Sequence, residues 1–129
     1  MEKAQVRVLA AVIRSNGRFL ICQRPLSKRH GGLWEFPGGK AEENESDSDA
    51  IRRELNEELG VLTAFVGAPE LIIRDSDSPY LIVFVPVTID GQPSAREHLS
   101  IRWATVTELL RAPLAPADSA FARHLLSLP

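Results

Sequence analysis

GGKAEENESDSDAIRRELNEELGV, residues 38–61, is the stretch from which the rest of the chain is read. Gly38-Gly39 breaks regular structure after Pro37. Ser46 to Leu59 then reads as a helix: Ser46 is a cap, Asp49 follows three residues later, and Asp47 and Asp49 suit the positive end of the helix dipole. Ile51, Leu55 and Leu59 recur at four-residue spacing and give a buried stripe, and Gly60 is a natural stop. Glu54, Glu57 and Glu58 stand at i, i+3 and i+4 beside that stripe. A solvated acidic face is the plain reading of three glutamates on a helix. Two costs weigh against it. Glu57 and Glu58 lie in the last turn, where the dipole disfavours each anion by about 0.3–1 kcal/mol. Glu54 and Glu58 also repel as an i,i+4 pair, by about 0.2–0.5 kcal/mol. A bound divalent cation turns both penalties into affinity, and clustered carboxylate oxygens suit Mg²⁺, or Mn²⁺, better than Zn²⁺.

Outward from the helix, β-signals dominate. Val6 to Arg14 reads as a strand, Asn16-Gly17 as a tight turn and Arg18 to Gln23 as the partner strand. Pro25 to Leu33 reads as a loop, and Leu33 to Phe36 as a short apolar piece. Val61 to Gly67, Leu71 to Arg74, Tyr80 to Ile89 and Ile101 to Ala104 read as strands, with a polar turn at Asp75 to Pro79. Thr107 to Arg111 and Asp118 to Leu126 read as helices. Strands mixed with helices at two places predict an α/β (α+β) fold with a mixed central sheet between helices. The 129 residues are expected to form one domain, residues 1–129.

Composition narrows the function classes. A net charge of −2 disfavours a nucleic-acid polymer as partner. No run approaches the ~18 apolar residues of a membrane span, and the early run Val8 to Ile13 is too short for a signal peptide. Cys22, a lone cysteine read as a buried thiol, is compatible with a reducing, cytoplasmic setting. His30, His98 and His124 lack metal-ligand spacing; His98, beside Glu97, either approaches a substrate or lies at the surface.

Gly39, Glu45 and Arg53-Glu54-Leu55-Asn56-Glu57-Glu58-Leu59-Gly60-Val61 match the Nudix box at every defined position, and the chain resembles the Nudix hydrolase family. The lead-in Gly32 to Lys40 and the tail Pro113 to Asp118 resemble the MutT-type nucleoside triphosphate pyrophosphohydrolases, toward the CTP pyrophosphohydrolase and 8-oxo-dGTP diphosphatase branch. The resemblance implies a loop–helix–loop that binds Mg²⁺ through Glu54, Glu57 and Glu58, one of which orients or deprotonates the attacking water. Gly38 joins that metal site, and Glu97 adds a carboxylate from a loop outside the box. Arg53 holds a glutamate in place, or pairs within the helix. Metals neutralise the polyphosphate and sharpen a water nucleophile.

The remaining expectations concern the substrate, a small nucleotide split into monophosphate and pyrophosphate by a monomer or homodimer. Gly39 and Lys40 either face phosphate oxygens or form a turn with a solvated lysine. Arg24 is placed near the substrate by the resemblance. Phe36 and Phe84 border the base or belong to the core. Asp118 either caps the last helix or reads the base, where an ionised carboxylate accepts from cytosine N4–H₂ or from guanine N1–H and N2–H₂. A nucleotide sugar or dinucleoside polyphosphate is the other substrate class, and a non-catalytic nucleotide-binding module the other function class.

Overall fold

A computed structural model describes residues 5–75 and 78–129. Ser76 and Asp77 of the expected turn lie outside the described residues. The strands are β1 (Val6–Val12), β2 (Arg14–Ser15), β3 (Arg18–Gln23), β4 (Trp34–Glu35), β5 (Gly38–Lys40), β6 (Leu62–Val66), β7 (Leu71–Arg74), β8 (Tyr80–Asp90) and β9 (Ser100–Ala104), and the helices are α1 (Asp47–Leu59), α2 (Val106–Arg111) and α3 (Pro116–Ser127).

β1 and β8 run parallel, β5 pairs antiparallel with the free edge of β1, and β6 and β7 pair antiparallel with β8. A second, antiparallel sheet holds β2, β3, β4 and β9. The expectation of a mixed sheet with helices therefore holds, but the strands divide between two sheets. The expected hairpin is correspondingly short. Asn16 (φ 52) and Gly17 (φ 75) do make the tight turn, but only Arg14 and Ser15 pair with β3 in full register. Beyond Ile13 the chain has left β1's sheet, because β1 spends its edges on β5 and β8.

Alternation explains the layers. Leu9, Ala11 and Ile13, with Leu20, Cys22, Val83 and Val85, pack against Ala50, Ile51, Leu55 and Leu59 of α1. Ala10, Val12, Phe19, Ile21 and Phe84 face the other way, onto Leu109, Phe121 and Ala122 of α2 and α3. Both faces are thus buried, which is why β1 and β8 read as continuous apolar runs.

α1 is built as its sequence predicts. Ser46 Oγ accepts from Asp49 N at 3.0 Å, and Gly60 ends the helix at φ 70 with its N–H on Asn56 O. Arg7 of β1 clasps Asp47 at the helix start through 3.0 and 2.6 Å contacts.

β4 and β5 were not expected, because Pro37-Gly38-Gly39 reads as a breaker. Gly38 instead pairs with Ala10 at φ 146, and a Cβ there would lie 1.9 Å from Leu9 O, so only glycine fits. α3 also differs: it begins at Pro116, one turn's first residue set by proline, and Asp118 sits inside that turn instead of capping it.

Candidate functional site

The site lies where β5 passes the C-terminal half of α1. Glu58 is on the buried side of that helix, with its side chain 5% exposed. Its Oε2 accepts from Gly38 N at 3.0 Å, and its Oε1 lies 3.6 Å from His98 Nε2. Burial first, then the charges of Glu54 and Glu35, push the Glu58 carboxyl up to about 9, although the Gly38 N–H opposes the shift. Glu97 adds to the repulsion on Glu58 and on Glu54 from the irregular segment before β9.

Glu54 is set against glycine. A Cβ on Gly39 would lie 2.6 Å from the Glu54 carboxyl carbon, so the backbone of β5 and this carboxylate touch directly. Burial raises the Glu54 pKa, and Arg53 partly offsets it.

Arg53 organises the outer side of the helix. Its Nε and Nη2 bind the two oxygens of Glu45 at 2.8 and 2.9 Å, its Nη1 binds Glu54 at 2.8 Å, and its Nη2 also donates to Lys40 O at 3.0 Å. This fork-to-carboxylate geometry holds the Glu45 carboxyl down to about 2. Arg53 is therefore a clamp between the loop before α1 and the helix itself, as the spacing of the box implies.

The other sequence-derived candidates are distributed unevenly. Glu57 is half exposed and lies 3.6 Å from Arg53. The Lys40 ammonium rests on the Tyr80 ring at 4.7 Å. Arg24 binds Glu35 Oε1 at 2.8 Å and Arg29 O at 2.6 Å, so its head is fixed at the mouth of the site. Phe36 and Phe84 are core residues: Phe84 stacks on Phe121 at 4.5 Å, and the Phe36 ring meets both edge-on. Asp118 is buried, and its Oδ1 accepts from Phe36 N at 2.8 Å. Burial, opposed by that N–H, raises its carboxyl to about 7.

One participant, Glu35, escapes sequence reasoning, and another, His98, is weighed there against a surface position. Glu35 links Arg24 to His98, whose Nε2 lies 3.0 Å from Glu35 Oε2. Glu35 follows Trp34 in a segment read as a short apolar piece, and its alternation with Phe36 was the one available signal. His98 is not a surface histidine: its side chain is 4% exposed.

The donor set is all oxygen. Glu54 and Glu58, with Glu35 and Glu97 close by, gather carboxylates whose mutual repulsion adds to burial in raising Glu58. A hard divalent cation fits such a set. Among the described residues, no group of three or more His, Cys, Asp or Glu side chains is already gathered as a metal site. Among them, too, no helix is long and apolar enough to cross a membrane.

The chain is 41% identical over 117 residues to the CTP pyrophosphohydrolase of Escherichia coli K12, covering 88% of this chain and 85% of that protein. It is 47% identical over 62 residues to the 8-oxo-dGTP diphosphatase of Proteus vulgaris, covering 47% of this chain and 55% of that one. The solution structure of the E. coli ORF135 protein superposes with a TM-score of 0.82 at 36% identity, over 97% of this chain and 91% of that one. Residues 3–125 match the family profile described as the NUDIX domain, and with the box residues packed against β5 the chain belongs to the Nudix hydrolase family.

Proposed function

We propose that the protein hydrolyses a nucleoside triphosphate to its monophosphate and pyrophosphate, with Mg²⁺ held by Glu54, Glu57, Glu58 and Glu97 and by the backbone of Gly38. The observation that carries this reading is the Glu58 carboxylate, buried among like charges at a glycine-lined strand. Bound there, the metal would neutralise phosphate charge and lower the pKa of water. The chain's own groups do the rest. Glu58, aimed by the Gly38 N–H, holds or accepts a proton. Arg53 keeps Glu54 and Glu45 in register. Gly39 leaves room for the Glu54 carboxylate, and Lys40 swings from Tyr80 to meet the phosphate charge. Arg24, fixed by Glu35, faces the nucleotide. The unit of function is the single domain spanning residues 1–129.

Asp118 supports a cytosine-type base. One of its oxygens is taken by the Phe36 N–H, which leaves Oδ2 to accept from a single exocyclic amine such as cytosine N4–H₂. The likeness to a CTP pyrophosphohydrolase points the same way. An oxidised guanine nucleotide is the second reading, favoured by the likeness to an 8-oxo-dGTP diphosphatase; nucleotide-pool sanitation follows from either.

The test is pyrophosphate release from a panel of canonical, methylated and oxidised nucleotides at fixed Mg²⁺. Orthophosphate as the product, or turnover unaffected by chelation, would sink the reading. Preference for nucleotide sugars would replace the substrate class.

A further inference from the structure

We propose that His98 is a positioning residue for this reaction: through Nε2–H it clamps Glu35 beside Glu58, at the end of a segment that the Ser94 and Arg96 amides already hold to α1. The inference rests on the proposed function above. From Ser94 to Glu97 every residue is exposed, and His98 then turns its ring inward, to 4% exposure. Its Nε2 lies 3.0 Å from Glu35 Oε2 and 3.6 Å from Glu58 Oε1. A carboxylate only accepts, so Nε2 carries the proton that Glu35 takes. The 3.0 Å contact is the hydrogen bond; at 3.6 Å Glu58 is a neighbour and not a partner.

Nδ1 is buried with no partner. A ring placed only for packing would not leave a polar atom stranded, since an unpaired buried group typically costs about 1–3 kcal/mol. The position is explained by what the other nitrogen holds. Glu35 is thereby gripped at both oxygens, by Arg24 on Oε1 and by His98 on Oε2. Glu35 comes from β4 and Glu58 from α1, while Glu97 is the residue next to His98 in the chain. One imidazole thus holds Glu35, lies against Glu58 and follows Glu97 directly in the chain.

Three measurements test this. His98→Gln places an amide N–H₂ near Nε2, whereas His98→Phe fills the space without a donor. In steady-state hydrolysis, H98F should lose at least tenfold in kcat with KM within threefold, and H98Q should stay within threefold of the parent. Parity of H98F with the parent, or equal damage in both variants, overturns the assignment. Binding of Mn²⁺ alone, followed by electron paramagnetic resonance of the free ion, should weaken in H98F and not in H98Q; the opposite order, or no binding to the parent, overturns it. A parent that binds Mn²⁺ but hydrolyses no triphosphate would refute the proposed function and leave this binding comparison to decide the role of His98. If H98F does not fold, long-range ¹H–¹⁵N spectra of the parent decide, with H98Q identifying the signal: an Nε2–H tautomer is expected, and an Nδ1–H tautomer overturns the proposal.

Discussion

Glu58 Oε2 and the Gly38 amide meet at 3.0 Å across the gap between α1 and β5. The pairing joins a helix chosen by its apolar stripe to a strand that exists only because glycine tolerates φ 146. It also sets which way the buried carboxylate points.

Glu58→Gln should abolish most activity and yet stabilise the metal-free protein. With a folded pKa near 9 against an ordinary 4.5, the folded state binds the extra proton, so stability falls as pH rises from about 4.5 to 9. The amide needs no proton. Melting curves in chelator should show the variant more stable at pH 8, on the order of 2 kcal/mol, with a flatter pH dependence. A parent whose melting temperature rises across that range would contradict the assignment.

Glu57→Gln should cost about 10²-fold or more in kcat if the ligand set is as proposed. Mg²⁺ at about a hundred times its dissociation constant should stabilise the parent by about 2.7 kcal/mol. The variant should gain less at the same concentration. Equal thermal shifts would remove Glu57 from the ligands.

The two glycines of β5 should fail differently. Gly38→Ala drives a Cβ into Leu9 O at 1.9 Å, with no flexible group to yield, and should unfold or severely destabilise the protein. In Gly39→Ala the obstacle is the end of the Glu54 side chain, 2.6 Å away. That variant should melt within a few degrees of the parent while losing at least tenfold in kcat. Denaturation and kinetics run together on both variants distinguish the cases; an active G39A would show that Glu54 has room to spare.

Arg53→Met should release Glu45. Its folded pKa lies near 2, below the usual 4.5, so the stabilisation it brings is present above 4.5 and is lost as pH falls toward 2. Carboxyl-carbon NMR should find Glu45 titrating near its ordinary value in the variant, with kcat down tenfold or more. A Glu45 midpoint that stays near 2 would assign the depression to the Glu42 backbone contact instead.

Periodicity made α1 legible, because Ile51, Leu55 and Leu59 are short-range information, and the box spacing named Glu54, Glu58 and Arg53 before any fold was known. The division into two sheets was not legible. It depends on Gly38 pairing with Ala10, a long-range choice that local breaker signals disguise. The pairing of His98 with Glu35 is hidden for the same reason. They are 63 residues apart and meet only once β4 and the segment before β9 flank β3 and α1. Of the two roles the sequence offers Asp118, cap or base reader, the cap falls away, because Pro116 starts the helix earlier and turns the carboxylate toward Phe36.

Residues 34–40 cross from one sheet to the other: Glu35 is paired in β4 with Cys22, and Gly38, three residues on, is paired in β5 with Ala10. Between them Phe36 meets the rings of Phe19, Phe84 and Phe121 edge-on. The spacing between Glu35 and Glu58 therefore reports how the two sheets are seated on one another, much as a caliper reports the gap between its jaws. A trimmed aromatic at Phe121 would let that gap breathe, and turnover would register the slack alongside the several kcal/mol, about 3–5 for an alanine, that the melting curve would show.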